Sequence, residues 1–207
     1  YGTHWTFNDD VLPMELSLEH HDTNRDGSRR DADNERVEED LFRYSATWNV
    51  SQHHTLRLDY EYDDIDERYS GSRYGFHTRR SQIRAEDSIQ FGDNNQNRLD
   101  TVVRYQEESG DLARDLFEAG PRLTLQHTPN LSSYYQYQFS REEVGQYDVE
   151  QHRADVGLVH QLYSNLTTTA NLFGLKEHVA DDIDTDEFGG SIDWDGYTKP
   201  HPFIVRA

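Results

Sequence analysis

Cysteine is absent from this 207-residue chain. Disulfides, thiolate metal sites and covalent haem, which needs Cys-x-x-Cys-His, are thereby excluded. Long apolar runs are missing too. Hydrophobic residues make up only 33%, and no stretch approaches the ~20 consecutive apolar residues of a membrane-spanning helix. Basic residues are scarce, with 20 Lys and Arg against 40 Asp and Glu and a formal net charge of -20. Neutralising phosphates needs the opposite balance, so nucleic acid is not an expected partner. The acidity suits cation binding or an anion-repelling surface. No phosphate loop, Gly-x-Ser-x-Gly or His-Glu-x-x-His occurs, so neither a nucleotide cofactor nor catalysis is expected.

Low hydrophobicity with a large net charge ordinarily signals disorder. Two features oppose that reading: aromatics reach 12%, and apolar residues recur with period two. The alternation is clearest from Leu41 to Tyr62. Phe42, Tyr44, Ala46, Trp48 and Val50 alternate with Arg43, Ser45, Thr47 and Asn49. After the polar turn Ser51-Gln52-His53-His54, Leu56, Leu58, Tyr60 and Tyr62 alternate with Arg57, Asp59 and Glu61. Successive strand side chains point to opposite faces, so each strand has one apolar and one charged face.

The unit repeats along the chain. Met14–Leu18, Gln82–Phe91, Arg98–Tyr105, Phe117–Leu125, Leu131–Phe139, Ala154–Leu162, Leu166–Leu172 and Phe188–Trp194 all alternate. Pro121 predicts a bulge, while Asp87, Ser133 and His160 interrupt otherwise apolar faces. The spacing predicts about a dozen antiparallel strands. Connections around Gln52, Asn94, Pro129, Ser164 and Pro200 are short. Those at 22–40, 63–76, 106–115, 141–150 and 178–187 read as longer acidic loops, all at one end of the sheet. The fold class expected is all-β, an antiparallel up-and-down meander forming a transmembrane β-barrel or a segment of one. Residues 1–207 read as one domain, and Phe203–Ala207 as a strand just begun, so that the whole is a segment of a longer chain.

The hairpins LFRYSATWNVSQHHTLRLDYEYDD and LTLQHTPNLSSYYQYQF resemble those of bacterial outer-membrane β-barrels of the porin-like kind. The resemblance covers most of the chain and lies in patterning, not in an invariant motif. A weaker similarity is to the large barrels that sheath multihaem cytochromes. The resemblance implies an outer-membrane location, lipid as a partner, and a pore or scaffold role with small solutes, ions or partner chains inside. The other class left open is a soluble antiparallel β protein that binds ligands or partner proteins on one sheet face.

On the barrel reading, Phe42, Tyr44, Trp48, Leu56, Leu58, Tyr60, Val103, Tyr135, Tyr137 and Leu158 face lipid. Arg43, Arg57, Asp59, Glu61, Arg84, Glu86, Asp100, Arg104, Arg122, Arg153 and Asp155 line the lumen, where they bias ion passage or pair across it. A third group is a candidate calcium loop. Asp22, Asn24, Asp26, Gly27 and Asp33 occupy positions 1, 3, 5, 6 and 12 of an EF-hand-like pattern, with the Ser28 carbonyl as a further oxygen. Arg29 and the lack of helical flanks depart from that pattern, and a solvated polar loop accounts for the same residues. The adjacent pairs His20-His21 and His53-His54 point to opposite strand faces and make poor chelates.

Overall fold

The computed structural model describes residues 1–25, 35–69, 75–111, 113–163, 166–179 and 183–196. They form one eleven-stranded sheet in which each strand pairs with its sequence neighbours. The strands are β1 (Gly2–Phe7), β2 (Met14–Arg25), β3 (Glu35–Ser51), β4 (His54–Tyr69), β5 (Gly75–Phe91) and β6 (Asn97–Gly110). Then come β7 (Arg114–Thr128), β8 (Leu131–Val144), β9 (Tyr147–Tyr163), β10 (Leu166–Val179) and β11 (Ile183–Gly196). All ten pairings are antiparallel. No pairing joins β1 to β11 among the described residues, so the sheet has two open edges. The expected strand at 203–207 lies outside the described residues.

The turns form where the sequence permits unusual backbone. Gly92, Asn94 and Asn95 all adopt positive φ between β5 and β6, and Gly145 does so between β8 and β9. Glycine lacks the Cβ that disfavours this region, and Asn tolerates it. Register shifts fall at Asn49/Ser51, Gln126/Thr128 and Leu166/Thr167, all at the short-turn end. Pro121 does not create a bulge, contrary to expectation. It leaves a gap in the β7–β8 ladder, and Ala119↔Phe139 and Arg122↔Gln136 keep one register on either side. A residue with no N–H weakens the ladder there without adding length to the strand.

The acidic connections are also shorter than expected. Strands extend deep into the predicted loops, leaving 26–34, 70–74, 111–113, 145–146 and 180–182 between them. Beyond the apolar stretch both faces are polar, so alternation vanishes from the sequence although the backbone stays extended. Opposite charges on facing strands hold these extensions: Arg79 donates to Asp64 at 3.0 Å and Arg141 to Asp148 at 2.6 Å. Such paired charges stabilise neighbouring strands by a few tenths of a kcal/mol to about 1 kcal/mol.

The register sorts the side chains onto two faces. One large apolar residue from every strand is exposed on the same face: Trp5, Leu18, Trp48, Leu58, Ile83, Val103, Phe117, Tyr135, Leu158, Leu172 and Ile192. The buried apolar residues among those described are only Leu41, Ala46 and Leu116. No interior core absorbs the apolar face. The band it forms is inclined to the hydrogen-bonding direction. The row of direct partners starting at Ala46 passes Leu58, Ala85, Val103 and Ala119, then Phe139, His152 and Lys176, and ends at Asp186. A level apolar band therefore requires tilted strands, as in a barrel.

Candidate functional site: the charged face

All eleven residues assigned to a lumen share the face opposite the apolar band, and all ten assigned to lipid share the band. Asp87, an interruption of the band, is not alone there: His54 Nε2 lies 2.6 Å from its carboxylate. Ser133 is 4% exposed and hydrogen-bonds His127 at 2.7 Å. Both interruptions are locally satisfied polar groups. Aromatics border the band. Phe42 and Tyr60 pack at 5.8 Å, and Phe117 and Phe139 at 5.9 Å, on the acidic side. Trp48, Phe91 and Trp194 stand towards the short turns.

On the charged face, arginines and carboxylates form a lattice. Some pairs lie two residues apart on one strand, because residues i and i+2 share a face. Arg57 donates to both oxygens of Asp59, Arg98 reaches Asp100 at 2.7 Å and Arg153 reaches Asp155 at 2.9 Å. Arg84 pairs with Glu86 in the same way. Others cross strands: Arg43 to Glu61 at 3.1 Å and Arg104 to Glu118 at 2.6 Å. Glu15, Glu19, Arg43, Arg57, Asp59 and Arg84 border a trough of about 510 Å³ over β1–β5. A second trough, about 410 Å³ over β6–β9, has Arg122, Gln136, Gln138 and Gln151 on its walls.

At the acidic end, one residue past the aromatic edge of the band, Asp63 is 6% exposed. One of its oxygens takes Arg80 at 3.2 Å and the other has no partner. Burial, then the nearby Glu39 carboxylate, pushes its pKa up against the pull of Arg80. Nearer the turn of the β8–β9 hairpin, the hydrogen bonds from Arg141 hold the Asp148 carboxyl low. Hydrogen bonding to His178 does the same for Asp184.

Two features escaped sequence reasoning. Tyr134 lies over Gly157, where a Cβ would overlap the ring, and Phe173 lies over Gly189 in the same way. The Tyr134 hydroxyl donates to Asn171 at 2.7 Å. Each aromatic and its glycine are distant in sequence and become neighbours only once register is known. Tyr134 alternates with the apolar residues of its strand, and that was the one available signal.

Of the candidate calcium ligands, Asp22 and Asn24 lie on strand β2 and not in a loop. Extended backbone sets them side by side, roughly 6.5–7 Å apart along the strand. Asp22 is taken by Arg36 at 3.1 Å. Asp26, Ser28 and Asp33 lie outside the described residues. Among those described, no three His, Asp or Glu side chains group closely enough to hold a metal.

No protein-family model and no curated protein matches the sequence. Solved structures do resemble this one. A loop-deletion form of OmpT, an outer membrane protein of Vibrio cholerae, superposes with a TM-score of 0.54 at 9% identity, over 93% of this chain and 62% of that one. The ferric-catecholate import receptor Fiu of E. coli K12 gives 0.65 at 8%, over 93% and 44%. The copper transporter OprC gives 0.65 at 10%, over 94% and 40%. This chain thus spans less than two thirds of the length of each of these three. At such identities the likeness is one of architecture, and the architecture is that of bacterial outer-membrane β-barrels.

Proposed function

We propose that the chain is the wall, or part of the wall, of an outer-membrane barrel. Its apolar face meets lipid and its charged face meets an aqueous lumen, where it serves as a pore or a scaffold without catalytic activity. The observation that carries this reading is the exposed apolar residue on the same face of every strand. A contiguous apolar surface larger than a few hundred Å² is rare on soluble monomers. The apolar run of β3, from Phe42 to Val50, has the ~9–11 residues of a membrane-spanning strand. Partner chains inside the barrel belong to the scaffold form of the proposal and small ions or solutes to the pore form. The neighbours named as transporters carry different cargo, so no solute follows from shared architecture.

Leu58→Arg should lower stability in detergent by ~2–4 kcal/mol if Leu58 sits near the bilayer midplane. A chain that stays monodisperse in buffer without detergent would overturn the membrane reading and favour the soluble sheet. In planar bilayers, the pore form predicts conductance steps whose reversal potential moves towards cation selectivity in Arg43→Gln/Arg57→Gln. A membrane-inserted chain with no steps leaves the scaffold.

A further inference from the structure

We infer that Arg122 anchors a binding site for a small oxyanion on the charged face, in the trough over β6–β9. This goes beyond the pore-or-scaffold reading and requires only that the face be wet. Among the described residues, every other arginine on this face whose side chain is placed, from Arg43 to Arg153, is ion-paired with a carboxylate. Arg122 is not. Its direct partner across the ladder, Asp100, is committed to Arg98 at 2.7 Å, and Glu118 is committed to Arg104 at 2.6 Å.

The Arg122 guanidinium is held by packing and not by a counter-charge. It lies 4.9 Å from the centre of the Tyr134 ring. That ring is itself fixed, seated over Gly157 and tied to Asn171 at 2.7 Å. The result is an oriented cation with its hydrogen-bonding edge unspent. Gln136, its direct partner on β8, and Gln138 border the same trough and can each turn an amide N–H towards a ligand. A guanidinium fork with flanking amides matches the oxygens of a carboxylate or a phosphate. Asp100 and Glu118 border the same trough, and each is offset by its own arginine, which leaves Arg122 as the uncompensated charge.

The test is calorimetry on the full chain in detergent micelles at low salt, titrating sodium succinate and sodium phosphate separately, with sodium chloride at matched ionic strength as the blank. Binding saturating in the millimolar range is expected. Arg122→Gln should weaken it at least about tenfold, the size of a lost charge-assisted hydrogen bond. Arg114→Gln, which breaks the pair with Glu142 eight residues away along the same strand, should leave it within about twofold. Arg122→Lys keeps the charge but not the fork and should fall between. Circular dichroism confirms that each variant is folded. Succinate alone binding assigns a carboxylate; both anions binding assigns oxyanions generally. No saturable heat from either anion, equal loss in the Arg122 and Arg114 variants, or parent affinity in Arg122→Lys overturns the site. Binding is read without conduction, so failure here is distinct from failure of the pore.

Discussion

The charged face changes character halfway across the sheet. Over β2–β6 it carries Glu19, Arg43, Arg57, Asp59, Glu61, Arg84, Glu86, Arg98 and Asp100, joined into ion pairs. Over β8–β10 the Arg153–Asp155 pair stands among uncharged Ser132, Gln136, Gln138, Thr167, Thr169 and Asn171, with Tyr134 and Phe173 laid over glycines. The two halves order their side chains by different means. An exposed ion pair contributes ~0–1 kcal/mol, is screened by salt and tolerates many geometries. An aromatic ring seated on a glycine tolerates one shape, because no side chain fits beneath it. The first half accordingly leaves its chemistry adjustable. The second fixes side chains in place, and Arg122 is oriented as a consequence.

The comparison breaks most visibly at the glycine seats. Gly157→Val drives a branched side chain into the Tyr134 ring, and overpacking of this kind costs ~1–3 kcal/mol. Urea unfolding in micelles should register that loss. Tyr134→Ala in the same chain should recover much of it, since the obstacle is then gone. A Gly157→Val variant as stable as the parent would reduce the seat to coincidence.

Asp63 gives the next largest effect, and its sign is opposite. Its pKa is raised in the folded chain, so above the ordinary carboxylate range the fold bears the cost of keeping it charged. That cost falls away as pH drops through the raised value and is absent below the unfolded one. Asp63→Asn should therefore stabilise the chain at neutral pH and do little near pH 3. Arg80 keeps Glu61 as a partner at 3.2 Å. Asp148 and Asp184 have lowered values and work the other way: their contribution is present above the unfolded carboxylate pKa and is lost as pH falls through the folded one. Melting profiles of the parent and Asp63→Asn across pH 3–8 check both signs, and a constant difference at all pH values would refute the assignment.

In the charged half, Arg57→Ala and Asp59→Ala should each change stability by less than ~1 kcal/mol, and their double-mutant coupling should shrink in high salt. A coupling well above 1 kcal/mol that salt leaves intact would erase the contrast with the glycine seats.

Which side chains share a face was legible in the sequence because period two survives any error in strand ends: Phe42 and Val50 share parity wherever β3 stops. Strand length was not legible. In Asp63-Asp64-Ile65-Asp66-Glu67 neither face is apolar, so the alternation that marks a strand disappears. What extends β4 there is Arg79 and His77 on the neighbouring strand, reaching Asp64 at 3.0 and 2.9 Å. The same holds for the site. The charge of Arg122 was visible, but only register shows that Asp100 lies opposite it and Glu118 opposite Arg104, and both carboxylates already hold an arginine.

The smallest effect expected is calcium at the acidic end, outside both halves of the charged face. Asp22 and Asn24 on one strand offer two adjacent oxygens, and Asp26, the Ser28 carbonyl and Asp33 would have to complete the shell. Arg36 competes for Asp22 at 3.1 Å, so calcium must displace an ion pair before it gains a ligand. No helices flank the site to hold it, as they do in the motif whose spacing it shares. Affinity should accordingly be weak, with half-saturation on the order of millimolar, the range of extracellular calcium modules. Removing the competitor should help: Arg36→Gln is expected to tighten binding several-fold, whereas Asp22→Ala/Asp26→Ala abolishes it. Calorimetry at millimolar calcium distinguishes these, and identical heats from all three chains would reduce the spacing to a chance arrangement of solvated acids.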